Sequence, residues 1–295
     1  MIGAAGFIGS HLCRHLGAGG AEVHGIDRRQ PAADLALASH TLSSYATPEA
    51  VRALEAIGAE QVFLLAGTAA VGPSLLDPIH DLHANATALL TFLELLRATS
   101  YRPALVYVSS AAVYGEPTEL PMRTASPTIP ISPYGVSKLA SEMYLRMYGF
   151  VHGFRVAAVR PFSVYGPGLR KQVVWDVLEK LDSGAAVLRG TGAESRDFVH
   201  VSDVCSALAT VAAHSCEGQV YNVCSSRETT IAELGEHLCE LTGVHELRFD
   251  GLVAPGNPVR WRGDHADLSA LGWTPRVGLE EGLAETVLWY RQQHK

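Results

Sequence analysis

The chain has 295 residues, 47% of them hydrophobic and 18% charged, and carries a net charge of −7. That composition fits an ordinary globular protein of one to two domains, and an acidic balance without runs of like charge excludes an extended nucleic-acid surface. No apolar run reaches the length of a membrane span and no basic-then-apolar signal pattern opens the chain, so the expected compartment is the cytoplasm, with no membrane partner.

Short apolar runs alternate with helix-length periodic stretches, which predicts a parallel sheet wrapped by helices. "FIGSHLCRHLGAGG" reads as a helix ended by glycines, "AEVHGID" as a strand, and "PEAVRALEAIG" as a helix opening with proline. "QVFLLAG" is a buried strand, "HDLHANATALLTFLELLRA" one long helix, and "ALVYVSS" another strand. "SPYGVSKLASEMYLRMYG" is a helix with Ser132 as N-cap, and "FRVAAVRP" closes the first series. Beyond residue 165 the rhythm loosens. "QVVWDVLEKLDSG" and "IAELGEHLCELTG" read as helices outside the main sheet, whereas "DVCSALATVAAH" and "GQVYNV" return to it; "GLEEGLAETVLWYRQQ" is the last helix. The expected division is a dinucleotide-binding domain of residues 1–165 and 198–224, and a substrate-binding domain of residues 166–197 and 225–295. The five cysteines are scattered without a C-x-x-C pair and the thirteen histidines are dispersed, so neither a disulfide frame nor a metal site is expected.

The opening "MIGAAGFIGSHL" spaces Gly3, Gly6 and Gly9 as a dinucleotide-binding turn requires. Such a turn brings backbone N–H groups and a helix N-terminus against a pyrophosphate. Asp27 follows Gly3 by 24 positions, at the end of the next predicted strand, where a carboxylate accepts hydrogen bonds from the adenosine ribose. That acid favours NAD; Arg28 and Arg29 beside it leave NADP open, since a guanidinium there receives a 2′-phosphate.

Ser110, Tyr134 and Lys138 form the sharpest constellation. Tyr134 and Lys138 lie four apart on one predicted helix and share a face. A phenol normally titrates near pH ~10, and a neighbouring cation favours the phenolate and lowers that value. Ser110, at the end of "ALVYVSS", is placed to hydrogen-bond the same substrate oxygen. Only four lysines occur in the chain, which makes a chance Tyr-x-x-x-Lys less frequent.

The segments "GAAGFIGSHL", "VYVSSAAVYGEP", "SPYGVSKLASE", "RPFSVYGPG", "RDFVHVSDV", "YNV" and "LGWTPRVGLEEGL" together resemble the extended short-chain dehydrogenase/reductases, and more narrowly the NAD-dependent epimerase/dehydratase family that acts on nucleotide sugars. The resemblance runs from Gly3 to about Tyr290. It implies a Rossmann-type doubly wound parallel sheet of strand order 3-2-1-4-5-6-7, a smaller interleaved C-terminal substrate domain, and a homodimer. It implies catalysis by Ser110, Tyr134 and Lys138, and a cofactor set comprising Gly3, Gly6, Phe7, Ile8, Gly9, Asp27, Arg28, Leu65, Ala66, Asn85, Tyr134 and Lys138. Ser163, Arg196 and Arg260, with Arg262 as a substitute, are the implied substrate contacts.

The sequence also departs from the family pattern. Ala111 and Ala112 stand where dehydratases carry an acidic pair, so elimination of water lacks its acid/base groups and a 4,6-dehydratase is not expected. Ser44 stands for an adenine-contacting aspartate, Leu64 for a histidine, Ser163 for an asparagine, and Ala254 for an arginine that grips the diphosphate. The expected activity is NAD(P)-dependent hydride transfer at the fourth carbon of a nucleotide-activated hexose, as 4-epimerase or 4-ketoreductase. The alternatives are a ketoreductase on a non-nucleotide carbonyl and a non-catalytic nucleotide-binding protein.

"MI" stands where the family has its central first strand. A start upstream of Met1 is therefore expected, and with it a gap between the strands ending near Asp27 and Ser109, since unpaired buried backbone groups cost about 1–3 kcal/mol each.

Overall fold

The computed structural model describes residues 1–184, 187–214, 216–244, 247–252, 256 and 258–294. Its first half winds helix α1 (Phe7–Ala18), strands β1 (His24–Asp27) and β2 (Ser39–Leu42), α2 (Pro48–Ile57), β3 (Gln61–Leu64), α3 (Val71–Leu76), α4 (Pro78–Leu82), α5 (Ala88–Arg97), β4 (Ala104–Val108), α6 (Pro133–His152) and β5 (Arg155–Pro161). The second half adds β6 (Ser163–Tyr165), α7 (Gln172–Asp182), β7 (Val187–Leu188), β8 (Ser195–Arg196), β9 (Phe198–His200), α8 (Val201–His214) and β10 (Glu217–Val223). It ends with β11 (Thr229–Thr230), α9 (Ile231–Thr242), β12 (Arg248–Phe249), α10 (Ala266–Ser269) and α11 (Leu279–Gln293).

Residues 1–3 fill the place expected to be open. Ile2 bridges Ile26 on one side and Leu64 on the other, both in parallel. The Ile2 amide donates to Phe63 O at 2.9 Å and the Leu65 amide to Ile2 O at 3.0 Å; the Gly3 amide donates to Ile26 O and the Ile26 amide to Met1 O, each at 2.8 Å. The expected gap is thus absent at the glycine turn, because two residues already complete the ladder on both sides. The result is one parallel sheet in the order β2-β1-(Met1–Gly3)-β3-β4-β5-β10. Parallel sheets need apolar cover on both faces. Here α1 and α8 pack on one face, around Leu12, Val106, Val159 and Leu208, while α2, α5 and α6 pack on the other, around Ile2, Leu54, Phe92 and Leu145.

Two predicted elements differ. "AEVHGID" is extended only over His24–Asp27, and "SHTL" supplies an edge strand that its mixed polarity hides. The long helix predicted over residues 80–98 is instead α4, a π turn over His83–Thr87 and α5. The slip in the ladder coincides with Asn85, whose buried side chain bonds Thr68 and Asp81 rather than solvent. α6 follows its local signals: Ser132 accepts from the Gly135 amide, Pro133 occupies the first turn, and Gly153 ends the helix at φ 69°.

Beyond the sheet, α7, α9 and α11 bury Val177, Leu234 and Leu283 around Tyr165 and Phe198. β6 pairs with β9, and β11 with β8, so this second layer is stitched to the carboxyl ends of the main strands. In open α/β sheets that is the end where ligands bind.

Candidate active site

The glycine turn begins directly after the central bridge. Gly3 takes φ +88°, and a Cβ there would meet Ala66 N at 2.8 Å; a Cβ on Gly9 would lie 2.0 Å from Gly3 O. Only glycine lets α1 approach the strand ends this closely. Gly6 is the N-cap of α1 and supplies no capping side chain, so Phe7, Ile8 and Gly9 form a bare first turn. Asp27 closes β1 and ties the turn in place: Oδ2 accepts from the Ala5 amide and Oδ1 from the Arg29 amide, each at 3.0 Å. Each oxygen keeps a further lone pair for a ribose hydroxyl. Arg28 follows Asp27 at the surface; Leu65 and Ala66 continue from β3 beside Gly3. Leu64 is buried in the sheet, and Ser44 uses its carbonyl to accept from Ser43 and Thr47.

The structure brings Ser110, Tyr134 and Lys138 together beside that turn. Ser110 leaves β4 and caps the short helical turn Ala111–Val113, its Oγ accepting from the Ala112 amide at 3.1 Å. The same hydroxyl stands near enough to the Tyr134 phenol to favour its ionised form. Tyr134 sits in the first turn of α6, with its amide donating to Ser74 Oγ at 3.2 Å. One turn on, Lys138 donates from Nζ to Val108 O at 2.9 Å and lies 4.8 Å from the centre of the Tyr107 ring and 5.9 Å from that of Tyr134.

The electrostatics differ from the sequence expectation. Burial pushes the Tyr134 phenol up to about 12, with Ser110 opposing and Asp81 adding to the rise. Burial likewise pulls the Lys138 ammonium down to about 8, against the opposing charges of Asp81 and Glu142. Desolvation disfavours both charged forms and outweighs the attraction of the lysine for a phenolate in the cofactor-free protein.

Beside the pair, the expected cofactor residue Asn85 is joined by a buried Asp81 that the sequence did not single out. Asp81 and Asn85 are one turn apart, and Asn85 Nδ2 donates to Thr68 Oγ1 at 2.7 Å and to Asp81 Oδ1 at 3.1 Å. Asp81 Oδ2 and Asn85 Oδ1 are buried without a partner. The i, i+4 spacing of Asp81 and Asn85 was the available signal. Behind α6, Arg160 grips Glu142 with bonds of 2.6 and 3.0 Å and donates to Tyr114 OH at 2.8 Å, which in turn donates to Asn222 at 2.7 Å.

On the substrate side, Ser163 opens β6 and its amide donates to Asp197 O. Arg196 donates to Ser195 O at 2.7 Å and lies 5.7 Å from the Trp261 ring, with burial pushing its guanidinium down. Arg260 is not drawn into this group. It is exposed and held by two bonds of 2.7 and 2.8 Å to Glu228. Arg262, by contrast, has a buried Nε without a partner. Ala254 lies outside the described residues.

The model of the NAD-dependent epimerase/dehydratase family matches residues 1–224. The chain belongs to that family. It is 31% identical to a UDP-glucose 4-epimerase of Mycolicibacterium smegmatis, over 99% of this chain and 98% of the relative. It is 34% identical to a GDP-6-deoxy-D-mannose reductase of Pseudomonas aeruginosa, over 76% of this chain and 78% of the relative. The solved structure of MoeE5 in complex with UDP-glucose and NAD superposes with a TM-score of 0.90 at 31% identity, covering 100% of this chain and 98% of that one.

NAD is the family's cofactor, and the residues present fit it. The glycines at positions 3 and 9 leave no room for a Cβ, α1 has no capping side chain, and Asn85 Oδ1 is buried with no protein donor. Gly3, Gly6, Phe7, Ile8, Gly9, Asp27, Leu65, Ala66 and Asn85 are the residues that would hold the dinucleotide, with Tyr134 and Lys138 beside the reacting end.

Proposed function

We propose that this member of the family transfers hydride at the fourth carbon of a nucleotide-activated hexose, acting as a 4-epimerase. The observation that carries the reading is the buried Tyr134–Lys138 pair with Ser110 beside it, packed against Ala111 and Ala112, both buried. Tyr134 is the acid/base side chain of this group. Moving a hydroxyl proton is within its reach, whereas eliminating water needs further acid/base groups, which two alanines do not supply.

In this mechanism Tyr134 takes the proton of the 4-hydroxyl and later returns it, while Ser110 hydrogen-bonds the same oxygen. Lys138 keeps a cation beside the phenol and would hydrogen-bond the cofactor ribose. NAD, when bound, accepts and returns the hydride and adds a positive charge that favours the phenolate. Arg196 and Arg262 grip the diphosphate of the sugar nucleotide; Glu228 already holds Arg260. Asp27 selects NAD over NADP, because a carboxylate repels a 2′-phosphate.

A second reading, 4-ketoreductase, is supported by the identity to the Pseudomonas aeruginosa reductase. An epimerase borrows and returns hydride within one turnover, so no cofactor is consumed. Incubation with UDP-glucose or UDP-galactose, followed by NMR, should show interconversion of 4-epimers without net NADH change. Stoichiometric NADH consumption on a 4-keto sugar, without interconversion, assigns the reductase reading. A 4-keto-6-deoxy product refutes the non-dehydratase reading altogether.

The same proposal includes a homodimer. α4 and α6 lie side by side and leave Ile79, Leu82, Val136, Met143, Met147 and Phe150 exposed, the last at 93%. A large apolar patch across two neighbouring helices suits burial against the same patch of a second copy about a twofold axis. Sedimentation should report a dimer, and Phe150→Glu with Met143→Glu a monomer; a wild-type monomer at micromolar concentration refutes it.

A further inference from the structure

The segment after β6 returns to the mouth of the glycine turn. His11 Nε2 is bonded to Pro167 O at 2.8 Å, and Gly168, at φ +99°, would place a Cβ 3.7 Å from both His11 and Phe7. Pro167 and Gly168 therefore rest on the first two turns of α1, the helix whose N-terminus has no capping side chain. Lys171 is the N-cap of α7, and the next residue, Gln172, takes φ 68°, a left-handed conformation rare for a side chain of its kind. From there Lys171 Nζ spans to Ala69 O at 3.0 Å, in the loop after β3 and 102 positions away in sequence. Its hydrogen bond goes to a neutral carbonyl.

A second cation approaches from the opposite side. Arg29 leaves the end of β1 and donates to Ala5 O of the glycine turn at 3.3 Å; its Nε stands 3.9 Å from Asp27 Oδ1. Burial first, and the charge of Arg29 second, push the Lys171 ammonium below the usual lysine range. Both side chains are exposed at the surface, the two cations repel each other beside the glycine turn, and an anion between them relieves that repulsion.

We infer that Lys171 and Arg29 close from opposite sides on the diphosphate of the bound dinucleotide, with Lys171 contributing a phosphate contact from the C-terminal half of the chain. Lysine suits this role as a compact charge on a long stem that swings from Ala69 O to a phosphate oxygen. The inference rests on NAD as cofactor and not on which sugar reaction follows, so it stands apart from the 4-epimerase reading.

Titration calorimetry of wild type, Lys171→Met and Arg29→Met with NAD, ADP-ribose, NADP and UDP-glucose tests it. Lys171→Met should weaken NAD, ADP-ribose and NADP by a common factor of roughly 5- to 50-fold, the loss of one charged phosphate contact. UDP-glucose should stay within about twofold, and Lys171→Arg should recover most of the NAD affinity. Added salt should weaken wild type more steeply than Lys171→Met. Unchanged NAD and ADP-ribose affinity overturns the inference. So does a loss confined to NADP, which places the cations on a 2′-phosphate, or one confined to UDP-glucose, which places Lys171 on the substrate. Equal unfolding midpoints of the cofactor-free proteins establish that the variants are folded; if Lys171→Met does not fold, Lys171→Gln carries the same comparison.

Discussion

Replacing Lys138 by methionine should make the cofactor-free protein more stable at neutral pH while abolishing turnover. Lys138 is 4% exposed, donates one hydrogen bond, to Val108 O, and burial draws its ammonium down to about 8 from an ordinary 10.5. A lysine whose folded value lies below its unfolded one is costly to fold while protonated. The cost is fully present below pH ~8, declines as pH rises from about 8 to 10.5, and is gone above that window. The difference corresponds to roughly 3 kcal/mol. Losing the bond to Val108 O returns about 1 kcal/mol of this, leaving a gain on the order of 2 kcal/mol, or about 3 °C in midpoint for a chain of this size. Urea and thermal unfolding of both proteins at pH 7 and pH 10 measure it. The gain should be large at pH 7 and small at pH 10, while the variant turns over no substrate. If Lys138→Met were no more stable than wild type at pH 7, or showed the same gain at both pH values, the buried-cation account of this site would be wrong.

Tyr134→Phe should lower kcat by roughly 10²- to 10⁴-fold, the usual share of acid/base catalysis, with NAD affinity by calorimetry within about twofold of wild type; a near wild-type rate removes Tyr134 from the acid/base role. Arg160→Met leaves Glu142 as an uncompensated buried charge and should cost about 3–5 kcal/mol in chemical denaturation, whereas a loss below 1 kcal/mol would show that the pair is solvated in solution. Ile2→Ala removes a fully buried side chain from the centre of the sheet; it should cost about 2–4 kcal/mol and weaken NAD binding, since Gly3 is the next residue, and unchanged affinity would mean that the turn does not depend on this anchor.

Signals within one turn or one strand were legible in the residues alone. The glycine spacing that brings α1 against the strand ends, the Ser132–Pro133 start of α6, the shared face of Tyr134 and Lys138, and the apolar runs of β3, β4 and β5 all rest on local geometry and periodicity. Tertiary structure decided what depends on partners distant in sequence. Two residues, Met1 and Ile2, complete a central ladder because Ile26 and Phe63 supply the bonds on either side. The helix predicted over residues 80–98 runs without a gap but widens to a π turn where Asn85 meets Thr68 from another loop. Arg260 is held by Glu228, while Lys171 reaches Ala69 beside the glycine turn. The charge state of the catalytic pair was also set at this level. Sequence spacing places a cation near a phenol, but how far each is withdrawn from water depends on β4, α4 and α6 packing around them, and in the free protein that desolvation is the larger effect.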